Sequence, residues 1–242
     1  MPLRAVTFDF WGTLYQVHTG GTSIEQRSAI LIRYLAAHGY RISPDRVRAA
    51  MEASFQRAYE IWSRETRTAD AAERVAWILE ELRVSLPEDE CRRMIREMEE
   101  TLLQEPVEPI PGAVEVVRSL AGRYRLGLIS DTGMSPGRVL RQFMAREGIL
   151  ELFHHCTFSD ETGRAKPHER QFLDTLERLG VHPQEAVHIG DLTATDILGA
   201  RRVGMRAVLF TGVTYGQDPS LADAVITSYE ELPPILEAWD NS

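Results

Sequence analysis

The stretch at residues 6–14, VTFDFWGTL, constrains the fold of this 242-residue chain more than any other. It begins as a run of apolar and β-preferring residues, which is typical of a buried strand, and the run stops at Asp9. In an open α/β sheet, ligands bind in the crevice outside the carboxyl ends of the strands. Asp9 is therefore placed for chemistry, although an aspartate shortly before a glycine often only binds the amides of a turn.

The bulk composition limits the class of protein. The chain is 43% hydrophobic and 26% charged, which is ordinary for a soluble globular protein with a sizeable core. A net charge of −9 disfavours a nucleic-acid or anionic-membrane partner. Cys91 and Cys156 lack CxxC spacing, which disfavours a disulfide framework and fits a reducing cytosol. No apolar run approaches the roughly 20 residues that span a bilayer, and Asp9 stands where a signal peptide would need its apolar stretch, so we predict a cytoplasmic protein.

Residues 15–21 read as a loop whose paired glycines, Gly20 and Gly21, form a candidate hinge. Residues 22–104 then read as four helices with no convincing strand. Two of the helix starts carry end signals, a capping box at Ser23 and a Ser43-Pro44 pair. Aromatic residues recur at helical spacing in this region, and the pattern predicts that they pack inside a small bundle: Phe55, Tyr59, Trp62 and Trp77.

After the prolines at 106, 109 and 111, strands alternate with helices, which favours parallel βαβ units. We predict strands at 125–130, 156–158, 186–190, 206–210 and 224–226, and helices at 113–121, 138–147, 169–179 and 194–203. The predicted fold class is therefore α/β, a Rossmann-like parallel sheet with a small all-helical domain inserted after the first strand. The predicted boundaries are 1–16 and 106–242 for the α/β core and 17–105 for the helical insert.

Polar side chains follow the ends of several predicted strands, at the same edge as Asp9. Ser130 ends one strand, Lys166 stands in a loop before a helix, and Asp191 follows another strand, with Asp196 five residues later. Each residue has an ordinary structural explanation by itself, but together they form a set that suits a phosphoryl group. A divalent cation, a lysine and hydroxyl donors can share the charge on its oxygens.

Four ordered segments resemble the four motifs of the haloacid dehalogenase superfamily of hydrolases: residues 9–14 (DFWGTL), Ser130, Lys166-Pro167, and Gly190-Asp191 with Asp196. The inserted helices resemble the helical cap of that family. The resemblance implies Asp9 as nucleophile and Mg²⁺ held by Asp9, the backbone carbonyl of Trp11, Asp191 and Asp196. It also implies that Ser130, Asp131 and Lys166 bind the substrate, with Ser130 and Lys166 assisting catalysis.

Residue 11 departs from the pattern of the family's phosphatases, which carry a second aspartate there as acid and base. An indole can donate a hydrogen bond but cannot shuttle a proton. Losing acid–base help costs on the order of 10²–10⁴-fold in rate, so we expect a substrate with a good leaving group unless another residue substitutes. His18 and Glu25 are the candidate substitutes, although the sequence favours a solvent-exposed His18 with no chemical role.

The family's 2-haloacid dehalogenases offer an alternative, because they carry an aromatic residue at the position of Trp11. They form an ester on the same aspartate without metal, but they generally lack an acid equivalent to Asp191. Their substrate-binding arginine has no recognisable counterpart here, where Arg33 and Arg41 are merely nearby. We therefore predict a Mg²⁺-dependent phosphohydrolase acting on a small phosphorylated metabolite. The alternatives are metal-independent dehalogenation and a catalytically slow relative that binds a ligand or a protein partner.

Overall fold

The computed structural model describes residues 2–17 and 22–241, without the side chains of residues 22 and 23. The predicted Gly20-Gly21 hinge and the His18 candidate lie outside the described residues, and the predicted capping box depends on the Ser23 side chain, which is not described. The described part contains eight strands in two sheets. These strands are, in chain order, β1 (Ala5–Phe8), β2 (Tyr15–Val17), β3 (Val107–Pro109), β4 (Arg125–Ser130), β5 (Phe153–Phe158), β6 (Ala186–Gly190), β7 (Arg206–Phe210) and β8 (Ala224–Ile226).

Six of these strands form one parallel sheet in the order β5-β4-β1-β6-β7-β8. Strand β1 therefore lies inside the sheet between β4 and β6, which are both far from it in sequence. Every residue of β1 and β6 is buried, as expected for a parallel strand with helices on both faces. The predicted α/β fold with a parallel sheet is confirmed.

Ten α-helices are described, and six of them belong to the part of the chain after residue 106: α1 (Thr22–Ala37), α2 (Pro44–Glu65), α3 (Ala71–Leu82), α4 (Glu88–Glu100), α5 (Ala113–Leu120), α6 (Gly137–Arg146), α7 (Ser159–Thr162), α8 (Glu169–Leu179), α9 (Leu198–Val203) and α10 (Leu232–Asp240). Helices α5, α6 and α10 share an apolar cluster with Val6 and Phe8 of β1. Helices α8 and α9 share another cluster with Ala5. Because successive side chains of a strand point to opposite faces, the sheet is covered by helices on both sides.

The helices α1 to α4 enclose an apolar cluster of their own, as the sequence pattern predicts. Two of them start at side-chain caps: Ser43 accepts from the Arg46 amide at 3.4 Å, and Asp70 accepts from the Glu73 amide at 2.8 Å. Met134, from the segment after β4, joins this cluster, so the helical insert also packs against the α/β part.

Two expectations about local structure are wrong, and one helix is not predicted. Residues 15–17 form β2, which pairs antiparallel with β3, whereas the sequence predicts a loop at residues 15–21. A three-residue strand is too short to produce a periodic signal, and pairing with a distant segment stabilises it. The strand predicted at 156–158 begins at Phe153, and α10 is an additional C-terminal helix.

The aromatic residues of α2 are also placed differently from the prediction. The face of α2 that enters the cluster of the insert carries Val47, Ala50 and Met51. Phe55 and Tyr59 lie beside that face and are 50% and 54% exposed. Helical spacing identifies residues that share a face, but it does not identify what that face contacts.

None of the described helices is both long enough and apolar enough to cross a membrane.

Candidate active site

The predicted chemical residues meet at the carboxyl end of the parallel sheet. Asp9 directly follows β1, and Asp191 directly follows β6, which is hydrogen-bonded to β1. The Asp9 amide donates to the carbonyl of Ile189 at 2.9 Å, which holds the two strand ends in register. The pairing of two distant strands therefore brings the two carboxylates together at the crevice where α/β folds bind ligands.

Lys166 connects Asp9 to a third carboxylate, that of Asp196. Its Nζ donates to Asp9 Oδ1 at 2.6 Å and to Asp196 Oδ1 at 2.6 Å. The three side chains are almost completely buried, with exposed fractions of 8% or less. A buried charge needs a partner and hydrogen bonds, and here each charge has both.

Three carboxylates, those of Asp9, Asp191 and Asp196, each offer one oxygen within 4.8 Å of the others, which is an arrangement that could hold a metal ion. All donors are hard oxygens, which are the ligands that Mg²⁺ prefers. The backbone of Gly12 closes one side, because a Cβ built there would lie 2.2 Å from Asp191 Oδ2. Thr214 Oγ1 donates a short hydrogen bond to the same oxygen.

The pKa values follow from this crowding. Burial raises the pKa of Asp9 well above its usual range, and the opposing attraction of Lys166 does not cancel it. Burial and the charge of Asp196 raise the pKa of Asp191 to about 6. Burial disfavours the ionised forms of Asp196 and Lys166 as well, but their mutual attraction outweighs it, so the pKa of Asp196 is lowered and that of Lys166 is raised.

Asp196 is held by the chain around it. It lies in a π-helical turn, Thr193–Ile197, that leads into α9 where the sequence predicts a regular helix. Its Oδ2 accepts from the Leu192 amide at 3.1 Å, and its Oδ1 is 3.1 Å from Nε2 of the buried His188. The other ring nitrogen of His188 is 2.9 Å from Thr7 Oγ1, so a hydrogen-bonded chain across β1 and β6 fixes Asp196. Irregular π turns of this kind are frequent at functional sites.

These groups line an open cleft of about 310 Å³. Its lining includes Asp9, Trp11, Asp131, Lys166, Asp191 and Asp196. Ser130 is fully buried below the cleft, and its Oγ donates to the Asp131 carbonyl at 3.2 Å. The structure thus brings the predicted residues to one place, with Ser130 beneath the surface of the cleft. Their catalytic, substrate-binding and metal-binding roles stay predictions.

Two of the other candidates are elsewhere. Glu25 is exposed and lines a separate surface depression with Ile24 and Arg48, so it does not reach the cleft. Arg33 pairs with Glu97 on the surface of the helical insert. The sequence pattern could not predict where these two side chains lie, because both residues belong to α1, whose orientation over the sheet is set by tertiary packing.

Trp62 also lines this cleft, although its sequence pattern predicts only packing within the bundle. It comes from α2, lines the cleft, and donates from Nε1 to Asp131 Oδ2 at 2.8 Å. The other oxygen of Asp131 accepts from the Lys166 amide at 2.9 Å. The helical insert therefore contacts the cleft through an indole. No sequence signal distinguishes this residue from an aromatic residue that packs within the bundle.

The comparisons with known proteins agree with this geometry. A family description, haloacid dehalogenase-like hydrolase, matches residues 3–204, and the chain belongs to that family. A glyceraldehyde 3-phosphate phosphatase of Pyrococcus furiosus is 34% identical over 143 residues, which cover 55% of this chain and 56% of that protein. The chain thus spans about half the length of this curated relative.

Two solved structures share the fold. A HAD phosphatase from Thermococcus onnurineus superimposes with a TM-score of 0.66 at 24% identity, covering 97% of this chain and 98% of that one. A 2-haloacid dehalogenase from Pseudomonas syringae pv. Tomato superimposes with a TM-score of 0.71, also at 24% identity, covering 98% and 99%. The fold is therefore common to both chemistries and does not separate them.

Proposed function

We propose that the protein is a Mg²⁺-dependent phosphomonoester hydrolase that acts on a small phosphorylated metabolite. The observation that carries the proposal is the cluster in which Asp9 is joined to Lys166 and lies beside two further carboxylates. A cation site next to a buried nucleophile and an ammonium group suits the transfer of a phosphoryl group, whose charge is spread over three oxygens. The similarity to a relative named as a phosphatase supports the same chemistry.

The donor set fits Mg²⁺, because three carboxylate oxygens lie within reach of a single ion. Asp9, Asp191 and Asp196 would hold it, together with the backbone carbonyl of Trp11. When bound, the ion supplies positive charge that lets an anionic phosphoryl group approach the carboxylate of Asp9.

Asp9 attacks phosphorus in line with the leaving oxygen, so an O–P bond to the carboxylate forms while the bond to the leaving group breaks. Lys166 stabilises the charge on Asp9 before the attack and on the transferring oxygens during it. Asp196, fixed by His188, orients the ammonium group of Lys166. Water then hydrolyses the aspartyl phosphate, which returns Asp9 as a carboxylate and releases phosphate.

Trp11 defines which leaving groups the site handles well. It lines the cleft at the position of the missing acid. Because its indole cannot give a proton to the departing oxygen, the leaving group must depart as a stable anion or carry its own acid. The protein should therefore cleave aryl or similarly activated phosphates faster than simple alkyl phosphates.

We also propose that residues 17–105 act as a cap over a core made of residues 1–16 and 106–242. The contact of Trp62 with Asp131 supports this division, since it brings the insert to the edge of the cleft. A cap of this kind excludes water from the site and selects the leaving group.

Dehalogenation is the second candidate, and Trp11 is the observation that favours it. In that reaction Asp9 would attack carbon and expel halide, which needs no proton. The presence of Asp191 in the carboxylate cluster argues against it, because attack on carbon has no use for a cation site.

The test is the release of phosphate from 4-nitrophenyl phosphate by the purified protein, with Mg²⁺ and with a chelator, alongside halide release from 2-chloropropionate. We expect phosphate release that requires the metal and disappears in Asp9→Asn. The matched control is Asp45→Asn, which removes an exposed carboxylate at the start of α2 and should keep full activity. Halide release that survives chelation, or phosphate release that survives in Asp9→Asn, would overturn the proposal.

A further inference from the structure

A second cleft lies beside the first, between the helical insert and the segment that follows β4. It has a volume of about 120 Å³ and is mainly apolar, with Phe55, Tyr59, Trp62, Arg74 and Gly133 among its lining residues. Trp62 lines both clefts, so the two clefts adjoin at this indole. We call it the Arg74 cleft.

Arg74 is the charged residue of the Arg74 cleft, and its guanidinium lacks a charge partner. Its Nε is shielded from solvent and has no hydrogen-bond partner. Within the described ranges, 2–17 and 22–241, no carboxylate forms an ion pair with this side chain, and burial lowers the pKa of Arg74 to about 10. The side chain as a whole is partly buried, and a guanidinium atom that is shielded from solvent ordinarily has a partner, because an unmatched buried charge is costly.

The walls of the Arg74 cleft determine which anion fits it. Phe55 and Tyr59 expose about half of their surface there, and the Arg74 guanidinium lies 5.9 Å from the Phe55 ring. Aromatic walls favour a flat apolar body, and a guanidinium favours a planar carboxylate that it can bind through two hydrogen bonds. A cavity of about 150 Å³ admits benzene, so this volume suits a carboxylate with part of one ring.

The charge balance favours a monoanion over a second phosphate. Arg74 is the only cationic side chain among the described residues that line the Arg74 cleft. The neighbouring Arg27 is already engaged, since it donates to the Met98 carbonyl and to Ser135 Oγ at 3.1 Å each. One free guanidinium matches one carboxylate, whereas a dianionic phosphate would leave a charge uncompensated.

We propose that the Arg74 cleft binds a carboxylate on the leaving group of the substrate, so that the protein prefers phosphomonoesters of flat, carboxylate-bearing alcohols or phenols. This inference rests on the proposed phosphohydrolase function and gives it a substrate class. Arg74 then acts as a specificity-determining residue at some distance from the reacting phosphorus.

The first experiment compares two substrates that differ in one charge. The 3- and 4-carboxyphenyl phosphates are compared with the corresponding carbamoylphenyl phosphates, which are flat and of the same size but neutral. The carbamoyl group withdraws electrons at least as strongly, so a preference for the carboxylate does not come from the leaving group. We expect kcat/KM to favour at least one carboxylate isomer by about tenfold or more, as for a hydrogen bond to a charged group.

Variants then assign this preference to a residue. Arg74→Met should remove the preference by lowering kcat/KM for the carboxylate substrate more than for the carbamoyl substrate, and Arg74→Lys should restore part of it. Arg64→Met is the matched control, because Arg64 is an exposed arginine of the same insert that lines neither cleft, and it should keep the preference. Equal kcat/KM for the carboxylate and carbamoyl substrates of the unaltered protein would overturn the inference, as would a preference that survives in Arg74→Met.

A binding measurement separates this inference from the proposed function. In titration calorimetry, 4-hydroxybenzoate should bind at least tenfold more tightly than 4-hydroxybenzamide, and Arg74→Met should abolish the difference. Binding of this kind without hydrolysis of any aryl phosphate would keep the Arg74 cleft as an anion site and overturn the phosphohydrolase function. Hydrolysis without any difference in binding or in kcat/KM would overturn only the Arg74 cleft.

Discussion

We propose that Trp11 sets the leaving-group requirement, and one substitution at this residue tests this role. The indole is partly buried and packs edge-on against Phe10 at 4.8 Å between ring centres. Trp11→Asp would place a carboxyl group at the position where the family's phosphatases keep their acid. We expect the ratio of kcat/KM for ethyl phosphate to that for 4-nitrophenyl phosphate to rise by about tenfold or more, within the usual range for acid–base catalysis.

The control for this prediction is Trp11→Phe, which keeps an aromatic ring and adds no acid. A ratio that changes equally in the two variants would mean that space, and not a proton, limits the reaction of alkyl phosphates. Both variants lose packing against Phe10, so some loss of stability is expected in each and should be measured by thermal unfolding.

A second prediction at the scale of the residue concerns metal binding by the three carboxylates. The cluster contains three carboxylates and the one ammonium group of Lys166, which bonds only Asp9 and Asp196. A divalent cation should therefore reduce the repulsion between the carboxylates and stabilise the folded protein. At a Mg²⁺ concentration of about 100 times Kd, the folded state gains about 2.7 kcal/mol, which corresponds to a rise in Tm of roughly 5 °C or more.

Asp191→Asn should remove most of this rise in Tm, since it deletes a ligand oxygen that carries charge. Asp45→Asn, on the exposed surface of α2, should retain it. Differential scanning calorimetry in chelator and in Mg²⁺ gives both values. An unchanged rise in Asp191→Asn would remove this residue from the metal site.

At the scale of the element, the turn after β1 depends on Gly12. Its φ is +67°, and an added Cβ would lie 2.7 Å from Asp191 Cγ. Gly12→Ala therefore adds a steric clash inside the carboxylate cluster to the cost of a left-handed conformation. We expect the variant to lose the Mg²⁺-dependent rise in Tm and at least about tenfold in kcat/KM for 4-nitrophenyl phosphate.

Gly39 provides a matched control for this turn. It also has a positive φ, +83°, but an added Cβ meets no atom within 4 Å. Gly39→Ala should cost about 1 kcal/mol of stability from the backbone alone and leave activity unchanged. Equal losses of activity in the two variants would mean that backbone strain, and not the crowding of Asp191, disturbs the site.

Strands that are continuous runs of apolar residues were predictable from the sequence. The predicted bounds of β4, β6 and β7 agree with the structure, because buried parallel strands are continuous apolar runs closed by polar or turn residues. The bounds of the short strand β8 agree as well, since its three residues are all apolar. The short strands β2 and β3 were not predictable, because each has a polar central residue and their pairing spans about 90 residues of chain.

The site shows the same limit. Asp9, Lys166 and Asp191 were predictable because each follows a strand or precedes a helix at the edge where ligands bind, and Asp196 was predictable because it stands five residues after Asp191 in the resembling motif. Trp62 and Arg74 were not, because the spacing on α2 and α3 does not reveal which side of the insert faces the cleft. The residues that we expect to select the substrate are therefore the ones that only the structure reveals.

At the scale of the whole molecule, the insert contacts the core at the same loop that holds Lys166. The Ala165 amide donates to the Thr66 carbonyl at 2.7 Å, and Thr68 Oγ1 donates to Ser159 Oγ at 2.6 Å. Ala165 directly precedes Lys166, so a movement of the insert would also shift the ammonium group for which we propose a catalytic role. A movement of the insert should therefore change the turnover as well as the access of substrate.

Two kinds of contact join the insert to the core, and their strengths should differ. Arg138 of α6 forms ion pairs with Glu99 and Glu100 of α4, but its side chain is 37% exposed. Pairs with that exposure contribute about 0.2–1 kcal/mol, and water and salt weaken them further. Trp62 instead donates to the partly buried carboxylate of Asp131, and a hydrogen bond to a charged group is worth about 1.5–3 kcal/mol.

This difference in strength predicts which substitution weakens the contact between the insert and the core. Arg138→Met should change KM for 4-nitrophenyl phosphate by less than about threefold, with little dependence on salt. Trp62→Phe keeps a ring in the cleft but removes the donor to Asp131, and it should raise KM by about tenfold. Steady-state kinetics of the two variants at low and high salt decide the matter. A larger effect of Arg138→Met, lost at high salt, would mean that the ion pairs and not the indole hold the insert over the site, because only exposed charges respond to salt in that way.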